Sequence, residues 1–114
     1  MIFTLTQIKE MVDRGFNVLT RAQRDMVDTK RLYMPSGALC IIGQAFPGEL
    51  FDIVLERLLG CTGIERDEQA EAHGFYVCGF FHELPNYSAL QREWIWRLEL
   101  ERECTKLLEP VGSI

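Results

Sequence analysis

What this 114-residue chain lacks bounds what it can be. No apolar run approaches the roughly 18 residues that a membrane-spanning helix needs. The opening Met1-Ile2-Phe3-Thr4-Leu5 has neither a basic n-region nor a sustained apolar stretch, so it does not read as a signal peptide. The expectation is a cytoplasmic protein with no membrane partner. An excess of basic charge is also missing: 12 Lys and Arg stand against 17 Asp and Glu, a net charge of −5. That balance argues against direct binding to nucleic acid, which draws its affinity from counterion release at phosphates. The four cysteines (Cys40, Cys61, Cys78, Cys104) are dispersed in apolar or helical contexts. Such a pattern suits reduced, buried thiols better than a disulfide framework. Gly-rich phosphate loops, paired catalytic carboxylates at a helix start and nucleophile elbows are absent as well.

What is present is an ordinary globular balance, 47% hydrophobic and 25% charged. It fits one domain over residues 1–114, long enough to bury a real core. Thr4-Leu5-Thr6-Gln7 reads as a capping box. After it Leu5, Ile8, Val12, Phe16 and Leu19 recur at helical spacing, with Lys9, Asp13 and Arg14 on the outer face. The polar stretch from Arg21 to Lys30 either extends that helix or connects it onward. Met34-Pro35-Ser36-Gly37 breaks the pattern, and a short apolar helix is predicted to start near Ala38. Phe46-Pro47-Gly48 interrupts it, with proline in the first turn of a helix that runs to Gly60 and buries Phe51, Val54, Leu55 and Leu58. A short acidic helix follows over Asp67 to Ala72. Phe75 to Phe81 is the one segment with extended character, but it has no obvious sheet partner. Leu84-Pro85-Asn86-Tyr87 reads as a turn. Ser88 and Gln91 then cap a long last helix that Glu109-Pro110 closes. The predicted fold is all-α: a small single-domain bundle of four to five helices.

One polar pair interrupts the apolar stretch from Leu39 to Phe46. Cys40 and Gln44 lie at i and i+4 and would share a helix face, with the thiol in the first turn, where the helix dipole favours a thiolate. His73 could act on them as a base, and with Phe75 the three would line a small-ligand pocket. That set is the bare inventory of a thiol acyl-transfer site, with Gln44 as oxyanion donor. The plainer reading makes Cys40 a core hydrophobe and Gln44 a cap on a buried backbone group. Cys78 and His82, with Cys61 and His73 upstream, form one loose pair and lack the paired close spacing of structural zinc. No metal or cofactor is predicted.

The last helix has two apolar edges. Leu90, Trp94 and Leu98 line one, and Trp96, Leu100, Cys104 and Leu107 line the other. Glu93, Arg97 and Glu101 run between them as a ladder of alternating charge. A helix this apolar must pack on both sides, and a side without a partner in the chain becomes a dimer or target-binding face. Arg97 beside Trp96 is the kind of anchor common at interfaces. The acidic run Glu65-Arg66-Asp67-Glu68-Gln69-Ala70-Glu71 reads as a solvated helix face, or as a mimic of phosphate charge.

Cys40 with Gly43-Gln44, then His73-Gly74-Phe75, then Tyr87, Leu90 and Trp94 follow one another in an order that resembles a group of short phage and actinobacterial proteins with no assigned activity. Their pattern is Cys-x-x-Gly-Gln, a later Gly-Phe (often His-Gly-Phe), and Tyr-x-x-Leu-x-x-x-Trp. The resemblance spans residues 8–96. It departs over Val77 to Pro85, which is apolar here, and in a longer final helix. It implies a recurring fold, a phage-like setting and attention on Cys40, Gln44 and His73. The leading expectation is therefore a non-enzymatic phage or prophage accessory protein. It would bind a host protein in the host cytoplasm through Trp94, Trp96 and Arg97, for instance as an inhibitor of a defence or regulatory system. The alternatives are the Cys40/Gln44/His73/Phe75 pocket protein, or weak thiol enzyme, and a structural module that homodimerises through its C-terminal helix.

Overall fold

The computed structural model describes residues 3–76 and 84–108. They form six helices: α1 (Leu5–Val18), α2 (Arg21–Asp25), α3 (Ile41–Ala45), α4 (Phe51–Leu59), α5 (Gly63–Ala72) and α6 (Leu84–Leu108). The fold is all-α, and no strand occurs among the described residues.

α1 starts where its sequence dictates. Thr4 Oγ accepts the Gln7 backbone N–H at 3.2 Å, and Gln7 Oε1 accepts the Thr4 N–H at 2.8 Å, which satisfies two donors that a helix start leaves orphaned. The same device recurs at Thr20 and Gln23, with the same two distances. This second capping box makes α2 a separate short helix, neither an extension of α1 nor a plain connection. It is the element that the predicted four or five helices did not include.

Other boundaries differ from expectation for local reasons. α4 begins at Phe51 and not at Pro47, because residues 46–50 form a turn in which Gly48 takes φ +82°. Its end is as predicted: Gly60 sits in the left-handed region at φ +72° and donates to Glu56 O. α5 begins at Gly63, four residues before the expected Asp67. α6 begins at Leu84, so the predicted turn at 84–87 is the helix's first turn and Ser88 lies inside it. Gln91 caps no helix start; its Oε1 accepts the Met34 N–H at 3.0 Å. Of the predicted extended segment, Phe75 and Tyr76 are non-helical, and Val77 to Phe81 lie outside the described residues. The predicted end at Glu109-Pro110 lies outside them too.

The core is a single cluster. α1 supplies Ile8, Met11 and Val12, and α6 lays Leu90, Trp94 and Leu98 along them. The loops add Val27, Leu32, Met34 and Phe75, while α3 and α4 add Ile41, Ile42, Val54 and Leu55. Gly15 lets α1 lie close against both the α5 stop and α6: a Cβ there would fall 2.0 Å from His73 O and 2.8 Å from Trp94 Cζ2. Arg66 ties α5 to α4, donating to Glu56 at 2.9 Å and to its neighbour Asp67 at 3.1 Å.

Candidate functional site

The residues predicted to line a pocket are built into the fold at two separate places. Cys40 is the N-cap of α3 and not part of its first turn; its backbone is extended, and its Sγ accepts the Gly43 N–H at 3.4 Å. The side chain is buried, and burial pushes the thiol above its ordinary value. A thiol held protonated in this way is the opposite of an activated nucleophile. Gly43 stands where a Cβ would collide with Gly37 O at 2.1 Å, so α3 can close on the preceding loop only with glycine there. Gln44 staples that loop: its Oε1 accepts the Asp28 N–H at 2.7 Å, and its Nε2 donates to Leu39 O at 2.8 Å. Both ends of the amide are committed to backbone. The hollow beside Gln44 is lined by Met26, Arg31, Ala38, Leu39, Gly43 and Pro47, without Cys40 or His73.

His73-Gly74-Phe75 is a helix stop. Gly74 takes φ +70° and donates to Glu71 O, while the Phe75 N–H reaches back to Ala70 O at 2.9 Å. These are the two bonds of a Schellman motif with its apolar residue just beyond. His73 Nδ1 lies 2.7 Å from Gln69 O, and because a carbonyl only accepts, Nδ1 carries the proton. The imidazole stacks on Phe75 at 6.2 Å between centroids, and Phe75 on Trp94 at 6.1 Å. Phe75 is fully buried. A larger cavity of about 360 Å³ opens between α1 and α5, lined by Phe3, Gln7, Glu10, Met11, Arg14, Glu68, Glu71 and Ala72, and it includes none of the four predicted residues.

The predicted metal pair, Cys78 and His82, lies outside the described residues. Among the described residues no three His, Cys, Asp or Glu side chains converge on a common point.

The predicted contact residues separate into three different roles. Trp94 is fully buried, and its Nε1 donates to Gly74 O at 2.7 Å, so it locks α6 to the α5 stop and offers nothing to a partner. Arg97 reaches Asp13 of α1 at 2.7 Å and lies over the Phe16 ring at 4.6 Å. It is a clamp between helices, neither the rung of an intrahelical ladder nor a free anchor. Trp96 is 54% exposed, with Lys9 Nζ 5.9 Å from its ring centroid. Of the three, Trp96 has the most surface to give.

Trp96 heads a larger feature. From Leu90 to Leu98 the buried positions of α6 are apolar (Leu90, Trp94, Leu98), but beyond Leu98 the inward positions are polar. Glu101 accepts from Arg24 at 2.9 Å and lies 3.4 Å from Arg21. Arg102 donates to Val27 O at 2.6 Å, and Thr105 accepts from Arg21 at 2.7 Å. The apolar residues of the same stretch point outward: Leu100 is 42% exposed, Leu107 is 80% exposed, and Cys104 is exposed. The second apolar edge read from the sequence is thus an outward stripe, Trp96-Leu100-Cys104-Leu107, each member of which is exposed.

The class the structure defines is a compact all-α domain with an apolar outer stripe on its longest helix. Comparison of the chain with protein-family models, with curated proteins and with solved structures finds no match. No helix among the described residues is long and apolar enough to cross a membrane.

Proposed function

We propose that this protein is a non-enzymatic binding module whose protein partner seats on the outward stripe of α6. The observation that carries this reading is the reversal of α6 past Leu98, where charge faces in and leucine faces out. Hydrophobic burial would favour the opposite arrangement in a lone domain. Trp96 gives the stripe the aromatic anchor that interface centres favour. The polar clamps from Arg24 and Arg102 hold the helix rigid, so little ordering cost remains at binding. In the phage or prophage setting that the sequence resemblance implies, the protein acts on a host protein in the host cytoplasm, and inhibition of a defence or regulatory system is one form of that role. A pocket or thiol-enzyme function draws no support from Cys40, Gln44, His73 and Phe75, each of which is committed to the fold.

The test is a photoreactive benzoylphenylalanine in place of Leu100, irradiated in cells. A discrete adduct carrying a protein mass, absent when the probe replaces the exposed Leu50 of the α3–α4 turn, is expected. An absence of any adduct at position 100 refutes the reading.

A further inference from the structure

The stripe has a property that says what can cover it. Trp96, Leu100, Cys104 and Leu107 are spaced four, four and three residues apart, and the pattern is nearly the same when read in reverse. A helix laid antiparallel on an identical helix would then set Trp96 against the second copy's Leu107, and Leu100 against its Cys104. Every contact occurs twice, as an interface between identical surfaces requires. The flanking charges follow the same symmetry. Glu99 and Lys106 lie on one side of the stripe, seven residues apart, and both are exposed. Neither is strongly engaged within its own chain: Glu99 meets Thr29 Oγ at 3.3 Å, and Lys106 lies 3.8 Å from Glu103. In the antiparallel pairing Glu99 of each copy faces Lys106 of the other. Glu103, on the same side, falls near the two-fold axis and faces its own counterpart, the one like-charge contact in the seam.

Resting on the reading of α6 as a binding surface, we infer that the partner on this stripe is a second copy of the chain, packed as an antiparallel helix pair about an axis between Leu100 and Glu103. The apolar seam rests on four side chains from each copy, so the dimer is a weak, concentration-dependent one.

Sedimentation equilibrium of the full chain under reducing conditions tests this. Wild type should shift from monomer to dimer with rising concentration. Glu99→Lys should weaken the dimer by about tenfold, because it sets like charges opposite twice. Lys106→Glu should do the same, and the double swap E99K/K106E should return the dissociation constant to within about threefold of wild type. Glu103→Gln should tighten the dimer. All these positions are exposed, so the variants fold, and circular dichroism checks that they do. A dimer indifferent to the charge swaps and to Leu100→Glu overturns the inference, since it would form elsewhere. A monomer at every concentration overturns it too, but leaves the binding reading intact if the photoreactive probe at position 100 captures a different protein.

Discussion

Gly15→Ala should be the most damaging single-methyl change in α1. On propensity alone the change would help, since alanine is favoured over glycine within a helix by about 1 kcal/mol. The surroundings decide otherwise. The new Cβ would lie 2.0 Å from His73 O and 2.8 Å from Trp94 Cζ2, both inside the 3.0 Å that Cβ atoms essentially never breach. His73 O is backbone, fixed by the Schellman stop that follows it, so relief must come from moving α1 or the Trp94 ring. Overpacking of this kind costs about 1–3 kcal/mol. A displaced Trp94 also loses its 2.7 Å bond to Gly74 O, which leaves a buried carbonyl unpaired at about 1–3 kcal/mol more. Against the propensity gain, the net loss is about 3 kcal/mol, which in a domain of this size lowers Tm by roughly 10–15 °C. Thermal unfolding followed by far-ultraviolet circular dichroism measures it. A Tm equal to or above that of wild type would refute the close approach of α1 to the α5 stop.

Further expectations follow from the same geometry. Gln44→Glu removes the donor to Leu39 O and sets a carboxylate against that carbonyl; it should cost about 1–3 kcal/mol, read as a lower denaturation midpoint, whereas an unchanged midpoint would deny the staple. Arg24→Ala removes the nearer of the two arginines on Glu101 and the guanidinium stacked 4.1 Å over Phe16, and should speed amide exchange over residues 99–106 more than over residues 88–95. Cys104 should react with iodoacetamide at neutral pH well before Cys40, which becomes reactive only with unfolding. Cys40 also sets a pH dependence. Its folded value lies above the ordinary 9.0, so the folded state holds the proton more tightly than the unfolded one. The stabilisation is complete below about pH 9 and falls as pH rises through the folded value. A Cys40→Ala variant should show a flatter alkaline decline in Tm, and a slope equal to wild type would sink the assignment.

How much of this was legible in the sequence depends on the range over which each signal acts. The Thr4 box and the Gly60 stop are local, set by side chains within a turn of the backbone they satisfy, and both stand as the spacing predicts. The box at Thr20 and Gln23 is equally local, but no apolar periodicity follows it to mark a helix. The long-range partners could not be read. Gln44 reaches Asp28 sixteen residues away, and Trp94 reaches Gly74 twenty away. Spacing gives no sign of either. The motif Cys40…Gln44…His73-Gly74-Phe75 looked like an inventory for chemistry because polar groups in apolar runs need partners. The partners turn out to be backbone groups: Gly43 N–H for the thiol, Asp28 and Leu39 for the amide, Gln69 for the imidazole. Cys40, Gly43, Gln44 and His73-Gly74-Phe75 thus close loops on helices.

α6 shows why a helical period alone cannot separate core from interface. Its two apolar edges have similar spacing and similar residues, yet one is buried and the other faces outward. What separates them is the pair of arginines on α2, Arg21 and Arg24, together with Arg102. They occupy the inward side from Glu101 onward and hold the helix there by charge and hydrogen bonds, not by apolar contact. With Trp94 and Leu98 facing in, the helical period turns Leu100, Cys104 and Leu107 outward. The polar packing behind the stripe is a consequence of how α2 is built, and the second capping box at Thr20 is part of that construction. An apolar surface with charge placed behind it is costly for an isolated domain and useful for one that pairs. That is why the charge swap at Glu99 and Lys106 weighs more in judging this protein than any substitution at Cys40 or His73.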